Sequence, residues 1–233
     1  MVGKNIIASA IGGIIGEISF CMASSNLMKY YNNDISRFDN NDILNLIFIN
    51  NDYKTIEYID EQNIMILMIP ITFLFVGLLL SCEFLSKPKK YYSMIACRTE
   101  NYKELYQIIY GKPLCKIIFY VLSYSLVIAI QCKQKNNYID IFTMTVVYII
   151  FIYFLSRIAF LIYKSVNSGF AIMSSLIILM FVYLFDMHIP NLDIVLYNTY
   201  NHSTTDIITL IILMLAVTVT DICISRKRGL YVY

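Results

Sequence analysis

Ile64-Met65-Ile66-Leu67-Met68-Ile69-Pro70-Ile71-Thr72-Phe73-Leu74-Phe75-Val76-Gly77-Leu78-Leu79-Leu80-Ser81-Cys82 runs for nineteen residues without a single charge. A helix of that length rises about 28 Å at 1.5 Å per residue, which matches the hydrocarbon core of a bilayer. The stretch has no apolar–polar alternation, so a half-exposed strand or a barrel strand does not account for it. Pro70 does not disqualify it, because neighbouring helices and hydroxyl side chains satisfy the backbone groups that a proline frees within a membrane.

Five further apolar blocks flank this one: residues 5–27, 114–131, 141–163, 170–185 and 207–224. The fourth reaches Tyr163 if Arg157 snorkels to the surface. Each block is unbroken rather than alternating, and every backbone group in lipid must be paired within its own segment, so all six read as helices. The whole-chain numbers agree. Of 233 residues, 58% are hydrophobic and only 15% charged, and mean hydropathy is +0.64. A soluble domain normally carries about a quarter charged residues. This composition excludes a soluble enzyme, a nucleic-acid-binding domain and a disordered scaffold. The expectation is an all-α, polytopic membrane protein forming one transmembrane domain over residues 1–233.

The first block has the basic start (Lys4) and small residues (Ala23, Ser24, Ser25) of a signal peptide, but Glu17 and Gly12–Gly13 interrupt its apolar region. It is read as a retained span. With both termini cytoplasmic, the inner loops hold thirteen of the eighteen Lys and Arg residues and the outer loops five. The positive-inside rule therefore selects that orientation in the plasma membrane.

The outer segment 30–63 is rich in Asn and Asp. Within it Ile43-Leu44-Asn45-Leu46-Ile47-Phe48-Ile49 reads as a short helix or strand at the membrane surface. The inner segment 86–112 is the most informative. Pro88 stops the incoming helix, Asn101 with Glu104 makes a capping-box-like start, and Gly111 with Pro113 a stop. Between them Tyr102, Leu105, Tyr106 and Ile109 recur at helical spacing, the pattern of an amphipathic helix lying along the inner membrane surface beside the basic residues Lys87–Lys90. Such a helix binds lipid headgroups at the least.

This arrangement resembles the permease subunit of type-2 ATP-binding-cassette (ABC) exporters, in particular the small permeases of lantibiotic and bacteriocin export and immunity. As topology the resemblance covers nearly the whole chain. As sequence it rests on residues 94–112 and on Ile224-Ser225-Arg226-Lys227-Arg228-Gly229. It implies a coupling helix in the 86–112 loop, with Arg98, Glu100, Asn101, Tyr102, Lys103, Leu105 and Tyr106 docking on a separate ABC ATPase. It also implies a second permease chain, identical or homologous, and a hydrophobic or antimicrobial peptide as cargo. The alternatives are an ion-coupled secondary transporter and a membrane-integral peptide-processing enzyme.

The chain has no G-x-x-x-x-G-K-[ST] loop to cradle ATP, no G-x-S-x-G and no H-E-x-x-H. It is thus expected to be no enzyme itself, to bind no nucleic acid, and to hold neither cofactor nor metal. Six cysteines and two histidines without a C-x-x-C pair read as small hydrophobes rather than zinc ligands. Glu17 is the one acid well inside a block, expected in the translocation path or in a helix contact. Ala8, Gly12 and Gly16 form a small-xxx-small face suited to close helix packing. Asp221, near Arg226 and Arg228, reads as one half of a charge pair at the inner interface, where Arg157 and Lys164 are expected to anchor the fourth span.

Overall fold

A computed structural model of the protein describes residues 2–31, 40–48, 64–82, 107–132, 137–188 and 204–227. All regular structure among them is helical: α1 (Val2–Tyr30), α2 (Asn40–Phe48), α3 (Ile64–Ser81), a π-helical turn (Gln107–Gly111), α4 (Lys112–Gln131), α5 (Asn137–Ser165), α6 (Ser168–His188) and α7 (Thr204–Lys227). Each of the six apolar blocks falls on one long helix. Three described stretches are long and apolar enough to cross a membrane, namely Gly3–Lys29, Ile109–Gln131 and Tyr138–Lys164, and shorter apolar stretches lie in α3, α6 and α7.

The distribution of side-chain size is that of a helix bundle in lipid. In α1 the buried row is Ala8, Gly12, Gly16, Ser19, Ala23 and Leu27, recurring every three or four residues, while Ile6, Ile7, Ile14, Ile18 and Met22 point outward. In water the large apolar side chains would be inside. In lipid they lose nothing by facing acyl chains, and small residues are placed where backbones must approach. At Gly12 an added methyl group would run into the Tyr120 carbonyl oxygen and the Ser123 hydroxyl. At Gly16 it would meet the Tyr124 carbonyl oxygen at 3.1 Å. The small-xxx-small face therefore packs α1 on α4.

Residue pairing along these contacts fixes the helix directions. Gly12 lies beside Tyr120 and Gly16 beside Tyr124 and Val127, so α1 and α4 run parallel. Phe73 stacks on Tyr124 with centroids 3.9 Å apart, whereas Gly77 faces Tyr120 and Ile152, so α3 runs against α4. Phe73 also meets Tyr148 at 5.2 Å, which with Gly77 beside Ile152 sets α3 parallel to α5. Helix α5 is the axis of the bundle, with 61% of its most apolar stretch buried against 28% for α1.

Several described hydroxyls find partners within the bundle. Tyr120 donates to the Phe73 carbonyl at 2.8 Å, Thr145 bonds Ser125 at 2.7 Å, and Thr72, Ser156, Ser175 and Thr218 donate to carbonyls one turn back in their own helices. Polar groups in an apolar medium need such partners.

Two expectations change. The apolar run after Asp42 is helical, but it does not lie on a surface. Ile43, Leu44, Leu46, Ile47 and Phe48 are buried, α2 packs on α1 and α3, and the Phe48 ring stands 5.9 Å from Tyr148 of α5. The bundle offers this helix packing from α1, α3 and α5, where an interface would cover only one side. The stop at Gly111–Pro113 is also absent. Gly111 has helical dihedrals, φ −72° and ψ −43°, and the π turn passes directly into α4 with Pro113 in its first turn. Proline is accepted there because the first turn has no intrahelical acceptor for its missing N–H.

Candidate functional site: a buried charge cluster at one end of the bundle

The starts of α1, α4 and α6 and the ends of α3, α5 and α7 gather at one end of the bundle. Lys4 and Lys116 lie within electrostatic reach of each other there. Val166 and Asn167 alone separate α5 from α6. Asn167 caps α6, its side-chain oxygen accepting the Phe170 N–H at 2.8 Å, which folds the chain back on itself at this point.

Four side chains from three elements converge at this end. The Lys164 ammonium of α5 forms an ion pair with the Asp221 carboxylate of α7. The Tyr110 hydroxyl, from the π turn, donates to the other Asp221 oxygen at 2.5 Å. The Arg157 guanidinium lies 4.8 Å from the Tyr110 ring centroid, 5.1 Å from Tyr153 and 5.5 Å from Phe160. Lys164 stands over the other part of this aromatic surface, 4.6 Å from Phe160. Arg157 and Asp221 are both 0% exposed.

Local sequence accounts for the geometry. Tyr153, Arg157, Phe160 and Lys164 are spaced by four, three and four residues, which places them on one face of α5. Arg157 lies two turns, about 10 Å, deeper than Lys164. It does not snorkel as its position near the end of the block suggests. It points inward because its own helix supplies Tyr153 and Phe160 on the same face, and aromatic faces stabilise a cation by about 2 kcal/mol where water is excluded. A described partner of Asp221 is a lysine on another helix, so the pair ties two elements together. The spacing of the four α5 residues was the legible signal for this cluster.

Glu17 lies elsewhere, at the middle of α1 on its exposed side, where Gln131 of α4 donates to both carboxylate oxygens at 3.3 Å. It and the Gly12–Gly16 contact thus belong to the same α1–α4 seam. Arg98, Glu100, Asn101, Tyr102, Lys103, Leu105 and Tyr106 lie outside the described residues. Of the apolar stripe in that segment Ile109 is described, and it is buried in the core. No group of His, Cys, Asp and Glu able to hold a metal ion occurs among the described residues.

Compared with protein-family models, curated proteins and solved structures, the chain matches none. The cluster therefore has to be read from its own chemistry. Among the described contacts a cation and a phenol meet a carboxylate, and a second cation lies against aromatic rings. There is no nucleophile–base pair among them. These groups sit where the π turn enters α4.

Proposed function

We propose that this chain is the membrane-embedded permease subunit of an ABC transporter, resembling the small lantibiotic or bacteriocin export-and-immunity permeases. In this reading six helices cross the plasma membrane of a bacterium with both termini in the cytoplasm, and two permease chains, identical or homologous, enclose the path. A separate ATPase binds the 86–112 loop, and the cargo is a hydrophobic or antimicrobial peptide. The observation that carries the reading is the gathering of helix ends. Alternating starts and ends at one face fit six crossings, and that face bears Lys4, Lys112, Lys116, Lys164 and the entry of the basic loop, in keeping with a cytoplasmic side. The absence of a phosphate-cradling loop from the sequence assigns ATP hydrolysis to another polypeptide. The buried charges among the described residues, Arg157, Lys164 and Asp221, lie at one end of the bundle instead of forming a mid-membrane relay, which favours this reading over an ion-coupled carrier.

Docking of a helix into an ATPase groove uses aromatic anchors for affinity and both signs of charge for register. Truncating one anchor costs on the order of 2 kcal/mol, about thirtyfold in affinity. The test is co-purification of an ABC ATPase with the tagged full-length chain. Tyr102→Ala and Glu100→Lys are expected to lose the partner, and Lys87→Ala to keep it. Equal retention by all three, or no ATPase with the unaltered chain, refutes the assignment and leaves a lipid-anchoring loop.

A further inference from the structure

Helix α7 is the least embedded of the long helices. Among its residues with described side chains Asp221 alone is buried, while Ile208, Ile211, Ile212, Leu213, Leu215 and Val219 are exposed. In lipid these apolar residues have little preference between acyl chains and protein, so they do not select one lateral position of the helix over another. A polar contact does, because a carboxylate drawn away from its donors into an apolar medium has nothing to replace them.

We propose that Asp221 is a positioning residue, a latch that sets where the end of α7 sits and lets the π turn preceding α4 move it. The two described groups on its carboxylate come from elements of different character. Lys164 belongs to α5, the buried axis of the bundle. Tyr110 belongs to the π turn at the junction of the 86–112 segment with α4. A π turn is a local wider, under-wound step in a helix and is frequent at functional sites. If that turn shifts, the phenol leaves the carboxylate, and the tie between α7 and the axis is weakened. Arg157, stacked on the same Tyr110 ring, fixes the ring that carries the hydroxyl. Packed helices shift between discrete arrangements, often by about one turn or 5 Å, so the expected response is a displacement of that order rather than a gradual loosening. The inference stands on this geometry whatever force acts on the turn, and is independent of the transport reading.

Two native cysteines report on it. Cys115 is exposed on α4 and Cys223 is exposed on α7. Spin labels at these positions, in the full chain in lipid bilayers with the other cysteines replaced by serine, measure the α4–α7 distance. A second labelled pair, Cys21 on α1 with Cys115, monitors the rest of the bundle. The unaltered chain is expected to give one narrow Cys115–Cys223 distribution. Asp221→Asn, Lys164→Met and Tyr110→Phe are each expected to shift or broaden it by about 5 Å while the Cys21–Cys115 distance stays put. The exchange Lys164→Asp with Asp221→Lys is expected to restore the narrow distribution. An unchanged distribution in Asp221→Asn removes the latch, and an unchanged one in Tyr110→Phe removes the link to the π turn. Movement of the Cys21–Cys115 pair in the same variants marks general loosening and overturns the proposal.

Discussion

At Gly12 and Gly13 two adjacent glycines have opposite meanings. A methyl group at Gly12 collides with the Tyr120 backbone, which cannot swing away, whereas at Gly13 the nearest atom is a Val127 methyl at 3.9 Å. Gly12→Ala is therefore expected to destabilise the chain by about 1–3 kcal/mol, the range for overpacking. Gly13→Ala is expected to be neutral or to stabilise it by up to about 1 kcal/mol through helix propensity. Thermal unfolding in detergent micelles distinguishes the two, and equal effects would mean that α1 does not seat on α4. The buried pair follows the same logic of neighbours. Replacing Asp221 by Ala leaves the buried Lys164 and Arg157 cations close together without its carboxylate and is expected to cost about 3 kcal/mol, within the range for breaking a buried pair. Chemical denaturation in the same micelles, with Thr220→Ala as the exposed control, checks it. The small-residue face of α1 was legible in its spacing. The meeting of Asp221 with Lys164 was not, since this ion pair joins residues 57 positions apart on different helices.

Among the elements, α2 departs furthest from its sequence reading. A run of apolar residues bounded by Asn and Asp has the composition of an interfacial helix, and nothing in the run itself says that the space between α1, α3 and α5 stands open to receive it. With Phe48 buried against Tyr148, Phe48→Ala is expected to lower stability by about 3 kcal/mol. On an interfacial helix the same change would weaken lipid contact and leave unfolding unaffected, so the unfolding curve separates the two placements. The π turn before α4 has the same lesson. Gly111 and Pro113 are punctuation in a soluble chain, but Pro113 falls in the first turn of α4, where a helix tolerates it, and the helical path continues through both.

Across the whole molecule, charge asymmetry and helix direction agree on which end is basic. With the six native cysteines replaced, single cysteines at Arg98 and Arg228 are expected to resist impermeant maleimide added to intact cells, and one at Asn201 to react. Labelling of position 98 from outside would invert the orientation. The α1–α4 seam, with Gly12, Gly16, Glu17 and Gln131, and the Tyr110–Lys164–Asp221 joint lie on different parts of the bundle. A variant in one is expected to spare the other.

What the sequence by itself determined is the class of solvent and the list of long helices. Apolar blocks of bilayer length admit helices alone, since each backbone group must find its partner within a few residues, and that requirement is local. The face of each helix was partly legible for the same reason: small residues every fourth position mark an approach whatever helix approaches. What only the tertiary structure decided is which side chains meet. Arg157 turned inward, α2 entered the bundle, and Asp221 chose Lys164 and Tyr110, because each of these depends on cavities and partners created by distant segments. In lipid, where apolar contact discriminates weakly between neighbours, close backbone approaches and those few polar meetings tie particular helices together.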